Sequence, residues 1–175
     1  MARRILRFYG DPVLRQKAPP VSPSGDEQLR QLVADMFETC EAEEGAGLAA
    51  PQIGVPLRVF VIDCAENPED PESPVQRFAA VNPEIIAAEG EIPSEEGCLS
   101  IPGLRETIMR RARVTLAAFD IDGKPFQVEA RGLVSRAIQH EVDHLEGILF
   151  IDRLSSLKRQ LLKRQLDEIA EQAAS

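Results

Sequence analysis

Gln139, His140, Glu141, Val142, Asp143, His144, Leu145, Glu146 and Gly147 run consecutively and contain both histidines of a 175-residue chain. On an α-helix, residues four apart share a face, so His140 and His144 can turn ring nitrogens toward one point while Glu141, about 100° round, borders it. This is the H-E-x-x-H arrangement of a metal-assisted hydrolase, and the rest of the chain is expected to pack around the helix that carries it. Leu133 and Ala137 continue the histidine face with apolar side chains, and Gly147 supplies the helix stop.

Immediately upstream, residues 113–121 and 126–130 alternate as strands on either side of Asp122 and Gly123, a strong hairpin signal. Shorter strands are expected at 5–8, 58–63, 79–82 and 85–88, the last two separated around Pro83. Ser24 and Glu27 have capping-box spacing, and Leu29, Leu32, Val33, Met36, Phe37 and Cys40 follow at helical spacing until Gly45. A last amphipathic helix begins near Leu154, with Leu157, Leu161, Leu162, Leu166 and Ile169 as its apolar positions. The expectation is an α+β fold: antiparallel sheets around a central H-E-x-x-H helix, with an N-terminal helix and a C-terminal amphipathic helix.

Composition agrees with a single globular domain, residues 1–152 forming a catalytic core and 153–175 a terminal helix. Hydrophobic residues make up 43% and charged residues 28%, and a domain of this size buries about 70% of its unfolded surface without staples. No apolar run approaches the ~18 residues of a membrane span. The basic start lacks the apolar core of a secretory signal, which reads as cytoplasmic. A net charge of −9 argues against a general nucleic-acid binder. Residues 153–166 nevertheless contain Arg153, Lys158, Arg159, Lys163 and Arg164 and no acid, either a solvated helix face or a docking surface for an anionic partner.

Three cysteines do not make a disulfide framework. Cys40 sits on an apolar stripe and Cys64 at a strand end, both readings of packing; Cys98, beside Gly97 and near Glu95 and Glu96, is the thiol placed for chemistry. A catalytic site normally needs a third protein ligand and one open position. The metzincin location for it, six residues after His144, holds Phe150. Glu168 or Glu171 from a following helix would make an endopeptidase, the Cys98 thiolate would make a different hydrolase, and a fourth ligand such as Cys64 would close the site into a metal-stabilised binding module. The glycine-rich stretch 45–54 fits neither phosphate-loop spacing, and its small residues suit either a close backbone approach or tight packing.

Three stretches together resemble the signature motifs of peptide deformylase, in order and at similar separations: Gly45-Ala46-Gly47-Leu48-Ala49-Ala50-Pro51-Gln52-Ile53-Gly54, Glu96-Gly97-Cys98-Leu99-Ser100 and the 139–147 stretch. The likeness extends from Pro12-Val13-Leu14-Arg15 to the last helix. It implies hydrolytic removal of the formyl group from formyl-methionine at the start of nascent polypeptides. It also implies one divalent ion per chain, Fe(II) physiologically with Zn(II), Ni(II) or Co(II) as substitutes, held by Cys98, His140 and His144. Such an ion can bring the pKa of a bound water down to about 7.

On the same resemblance Glu141 is the acid/base, its pKa held low by a nearby cation, and the Gln52 amide and Leu99 N–H are oxyanion donors. Backbone at Ala46 and Gly47 would pair with the extended peptide, Leu133 and Ala137 would line the methionine pocket, and Arg105 would lie on the substrate side. Ala46 is smaller than the usual branched residue, and Ser94 and Arg136 replace residues that are often apolar, which implies a roomier or more polar pocket. The basic last helix would contact the ribosome near its tunnel exit; no membrane and no sequence-specific nucleic acid is implied.

Overall fold

A run of apolar residues without alternation must be covered on both sides, and Val59, Phe60, Val61 and Ile62 are such a run, all fully buried. They belong to the second of seven strands in a computed structural model that describes residues 2–22 and 25–174. In chain order the elements are α1 (Glu27–Ala42), β1 (Gly47–Ala49), β2 (Val59–Ala65), β3 (Val75–Glu89), β4 (Ile92–Cys98), β5 (Ile101–Arg110), β6 (Arg113–Phe119), β7 (Pro125–Arg131), α2 (Gly132–Leu145) and α3 (Ser156–Ala174). Five strands form an antiparallel sheet in the order β1-β2-β3-β6-β7, and β4 and β5 form a separate hairpin.

The period of two along β2 separates two cores. Phe60 and Ile62 join Leu116, Val134 and Ile138 on the face covered by α2, while Val59 and Val61 join Leu32, Met36 and Cys40 on the face covered by α1. A third cluster gathers Ile101, Leu104 and Ile108 of β5, residues 149–151 and Leu166 of α3. The H-E-x-x-H helix therefore lies between the large sheet and the β4–β5 hairpin, as the α+β expectation has it.

Both ends of α2 are set by glycines in left-handed backbone, where a side chain would also collide with its surroundings. Gly132 has φ +59, and a Cβ there would lie 2.4 Å from the Glu66 carbonyl oxygen, which instead accepts the Leu133 N–H at 2.8 Å. Gly147, φ +75, ends the helix as expected, with the Ile148 N–H returning to the Asp143 carbonyl.

Several expectations change. Residues 5–8 are not a strand; they follow an arm tied to α1, where Asp35 accepts from the Ala2 N–H and Arg4 Nε, each at 2.8 Å, and the Arg7 N–H donates to the Gln52 carbonyl at 2.7 Å. Ser24 of the expected capping box lies outside the described residues, and the cap of α1 is Asp26, whose carboxylate accepts the Leu29 N–H at 2.7 Å. The left-handed residue after α1 is Glu44, φ 55, rather than Gly45. The two short strands at 79–82 and 85–88 are one, because Asn82, φ 50, fixes an irregularity before Pro83 by pairing its amide with both backbone groups of Val21. Residues 94–102, unassigned from sequence, belong largely to the β4–β5 hairpin. Finally, Leu162, Leu166 and Ile169 of α3 face the core, whereas Leu157 and Leu161 are exposed.

Candidate active site

The end of β4, the start of α2's second half and the turn after β1 meet at one side of a cleft of about 1120 Å³. The ligand atoms of Cys98, His140 and His144 all lie within 4.8 Å of one another. His144 Nε2 is 3.4 Å from Cys98 Sγ and 3.2 Å from His140 Nε2. Tetrahedral coordination with a metal–sulfur length of about 2.3 Å and metal–nitrogen lengths of about 2.0–2.1 Å separates such atoms by roughly 3.3–3.6 Å, so the spacing suits a divalent ion.

The tautomer suits it too. His140 Nδ1 lies 2.9 Å from the Glu96 carboxylate, which fixes the proton there and leaves Nε2 a lone pair facing the other two donors. One thiolate and two imidazoles form a borderline-soft set fitting Fe(II), Zn(II), Co(II) or Ni(II). Among the described residues no fourth His, Cys, Asp or Glu joins the group, which leaves an open position. Neither Cys64 nor Glu168 is part of it; Glu168 pairs with Arg164 along α3. Phe150, where a metzincin would have a histidine, stacks on the His140 ring with centroids 6.2 Å apart.

Glu96 was not singled out from sequence, yet it anchors the centre. Burial would raise its pKa, but paired hydrogen bonds from Arg110, at 2.8 and 2.9 Å, and the contact with His140 outweigh that and bring it to about 2. Arg110 also donates to Asp143 at 2.7 Å, and Asp143 receives two further bonds from Arg153. Gln139 clamps the same region, its amide meeting the N–H and carbonyl of Arg111, each at 2.9 Å. Strand alternation was the available signal: Ser94, Glu96 and Cys98 are two apart on one face of β4, and this is visible only once the segment is read as a strand.

Glu141 is 4% exposed, and its Oε1 has no partner among the described residues. Burial pushes its carboxyl up to about 7, with His140 opposing the shift and Glu96 adding to it. Among the side chains themselves desolvation outweighs nearby positive charge, so the low value expected beside a cation depends on the bound ion. The glycine stretch now has a physical reason, since a Cβ on Gly47 would sit 3.0 Å from Glu141 Oε2 and 3.0 Å from the Val61 carbonyl. β1 can approach the carboxylate only without a side chain there.

Gln52, 2% exposed, is held by the Ala49 N–H on its oxygen at 2.9 Å, and its Nε2 faces Ser100 Oγ at 3.2 Å and Cys98 Sγ at 3.6 Å. Leu99, Arg105, Leu133 and Ala137 all line the cleft. The Leu99 N–H has no acceptor among the described residues. Arg105 is at the rim, paired with Glu95 at 3.3 Å. The Ala46 carbonyl is already taken by the Asp63 N–H at 2.9 Å, so strand-like pairing with a peptide falls to the outer edge of β1 beyond it. Sequence reasoning missed the N-terminal arm, whose Arg3, Ile5 and Phe8 also line the cleft.

Comparison with known proteins agrees with this geometry over the chain's length. The family model for polypeptide deformylase matches residues 3–160. A peptide deformylase of Acidobacterium capsulatum is 48% identical over 166 residues, 95% of this chain and 94% of that one. A crystal structure of a peptide deformylase from Legionella pneumophila superposes with a TM-score of 0.86 at 44% identity, covering 99% of this chain and 98% of the other. A class I type b peptide deformylase from Acinetobacter baumannii, bound to Met-Ala-Ser, gives 0.82 at 34% identity over 87% and 99%. The family-model match, the matching fold and relatives that align over nearly the whole sequence make this chain a member of the polypeptide deformylase family.

Proposed function

We propose that the cleft removes the formyl group from N-formyl-methionyl peptides by metal-dependent hydrolysis, releasing formate, with each role carried by a residue in its described position. The observation that supports this most is the convergence of Cys98, His140 and His144 beside the buried, unpartnered Glu141 carboxylate. Those three residues would hold one divalent ion, Fe(II) first and Zn(II), Ni(II) or Co(II) as alternatives. When bound, the ion supplies Lewis acidity that lets a coordinated water ionise near neutral pH.

The chain's own residues do the rest. Glu141, desolvated and within contact of β1, takes a proton from the attacking water and delivers it to the departing amine. The Gln52 Nε2 and the free Leu99 N–H face the cleft beside Cys98, where they can donate to the oxygen on which charge develops. Glu96 holds the His140 ring, and Arg110 holds Glu96. The outer edge of β1, from Gly47 onward past Ala46, receives the peptide as an added strand, Leu133 and Ala137 receive the methionine side chain, and Arg105 at the rim faces the following residues. The Met-Ala-Ser held by the Acinetobacter relative is the size of product this arrangement releases.

The metal-loaded protein should release formate from formyl-Met-Ala-Ser and leave internal peptide bonds intact. Cleavage of an internal bond without formate would instead make it an endopeptidase. For the partner, we propose that α3 offers its cations to ribosomal RNA. Lys163 and Arg164 are 73% and 92% exposed, and although Lys158, Lys163 and Arg164 face carboxylates, exposed pairs are weak enough to exchange for phosphate. Replacing Lys158, Arg159, Lys163 and Arg164 by Gln should abolish salt-sensitive co-sedimentation with ribosomes; unchanged co-sedimentation would return α3 to a solvated face. No helix among the described residues is long and apolar enough to cross a membrane.

A further inference from the structure

The cleft's lining mixes apolar side chains, Leu133 and Ala137 of α2 among them, with polar and charged ones, and Ser94 of β4 and Arg136 of α2 belong to the second group. Ser94 stands on the inward face of its strand with Glu96 and Cys98, is 1% exposed, and its hydroxyl has no hydrogen-bond partner among the described residues. Arg136 makes one hydrogen bond, from Nε to the Gly132 carbonyl of its own helix at 3.4 Å, and among the described residues no carboxylate pairs with it.

A buried hydroxyl with no partner is unfavourable unless something arrives to pair with it, and the half-buried Arg136 guanidinium has donors to spare for the same visitor. The thioether sulfur of methionine is only a weak acceptor. Oxidation to the sulfoxide puts a strong acceptor oxygen on that sulfur while leaving the chain length unchanged. A wholly apolar pocket would strip that oxygen of water and give it nothing in return.

We infer that this cleft also accepts peptides beginning with N-formyl-methionine sulfoxide, the Ser94 hydroxyl and Arg136 guanidinium donating to the sulfoxide oxygen. The inference rests on the deformylase reading of the cleft. It extends the substrate class to polypeptides whose first side chain has been oxidised before the formyl group is removed, with the same bond broken and the same formate released.

The experiment compares kcat/KM of the metal-loaded full-length protein on formyl-Met-Ala-Ser and on the same peptide carrying methionine sulfoxide. The sulfoxide-to-thioether ratio should be about 0.1 or higher, and in the double variant Ser94→Ala, Arg136→Leu it should fall at least about tenfold. A lower wild-type ratio, or a smaller fall in the variant, overturns the proposal. Ser94→Ala alone, which deletes one oxygen, with a fall of at least about threefold expected and a smaller one overturning, serves if the double variant does not fold. If the thioether peptide releases no formate, the deformylase reading itself fails; if it is turned over and the sulfoxide is not, only the present inference fails.

Discussion

Gln52 is held at both ends, its oxygen by the Ala49 N–H and its Nε2 between Ser100 Oγ and Cys98 Sγ. Such fixing is what makes a donor useful to a transition state, because nothing has to reorganise when charge appears. Gln52→Ala should lower kcat by about 10²–10³-fold with metal content unchanged, measured by formate release alongside metal analysis. Glu96→Gln keeps the shape but weakens the acceptor for His140 Nδ1 and leaves Arg110 short of a carboxylate. Metal affinity measured by chelator competition should fall about 10–100-fold; an unchanged affinity would mean that the His140 ring is held by packing on Phe150 instead. At this scale the two histidines and Glu141 were legible because they share one helix turn. Cys98 stood out only by its neighbours, and Glu96 and Arg110 were not legible, since an ion pair that brings β4, β5 and α2 together leaves no local pattern.

Elements differed in legibility for a similar reason. α1 and α2 carry a clean 3.6-residue stripe, and the β6–β7 hairpin carries alternation around a turn. β4 and β5 contain Pro93, Gly97, Pro102 and Gly103 and bury Ser94, Glu96 and Arg110 on the inward face, so their burial alternates while their apolar residues do not. The arm before α1 was misread because its order comes from elsewhere: Asp35, 2% exposed, receives Arg4, Gln31 and the Ala2 N–H. Burial opposes the charge on Asp35, but these hydrogen bonds outweigh it and hold its pKa below the ordinary value. A carboxylate depressed in the folded state contributes stability that is present above its unfolded pKa of about 3.9 and is lost as pH falls through the lower folded value. Asp35→Asn should therefore cost about 1.5–3 kcal/mol in urea unfolding at pH 7, a gap constant above about pH 5 that shrinks in acid. A gap independent of pH would show that the amide's shape, not the lost charge, matters.

Across the whole molecule, the site is assembled from three places that only the fold brings together. Cys98 and His144 are 46 positions apart, and so are Gln52 and Cys98. β1 lies at the outer edge of the sheet and passes directly beside Glu141, while the β4–β5 hairpin closes the other side of α2. Motif order suggested this assembly through a family resemblance; spacing alone did not, as Glu168 and Glu171 were open alternatives until the topology put them on α3, away from the centre. Legibility therefore ended where contacts between distant elements began. The most direct measurement is formate release from formyl-Met-Ala-Ser by anaerobically purified protein and by Glu141→Ala, each with its metal content determined. Metal-loaded wild type should turn over, and Glu141→Ala should hold the same metal with activity lost by at least about 10²-fold. Undiminished formate release by a metal-loaded Glu141→Ala protein would contradict the assignment of this helix as the seat of the proton transfer.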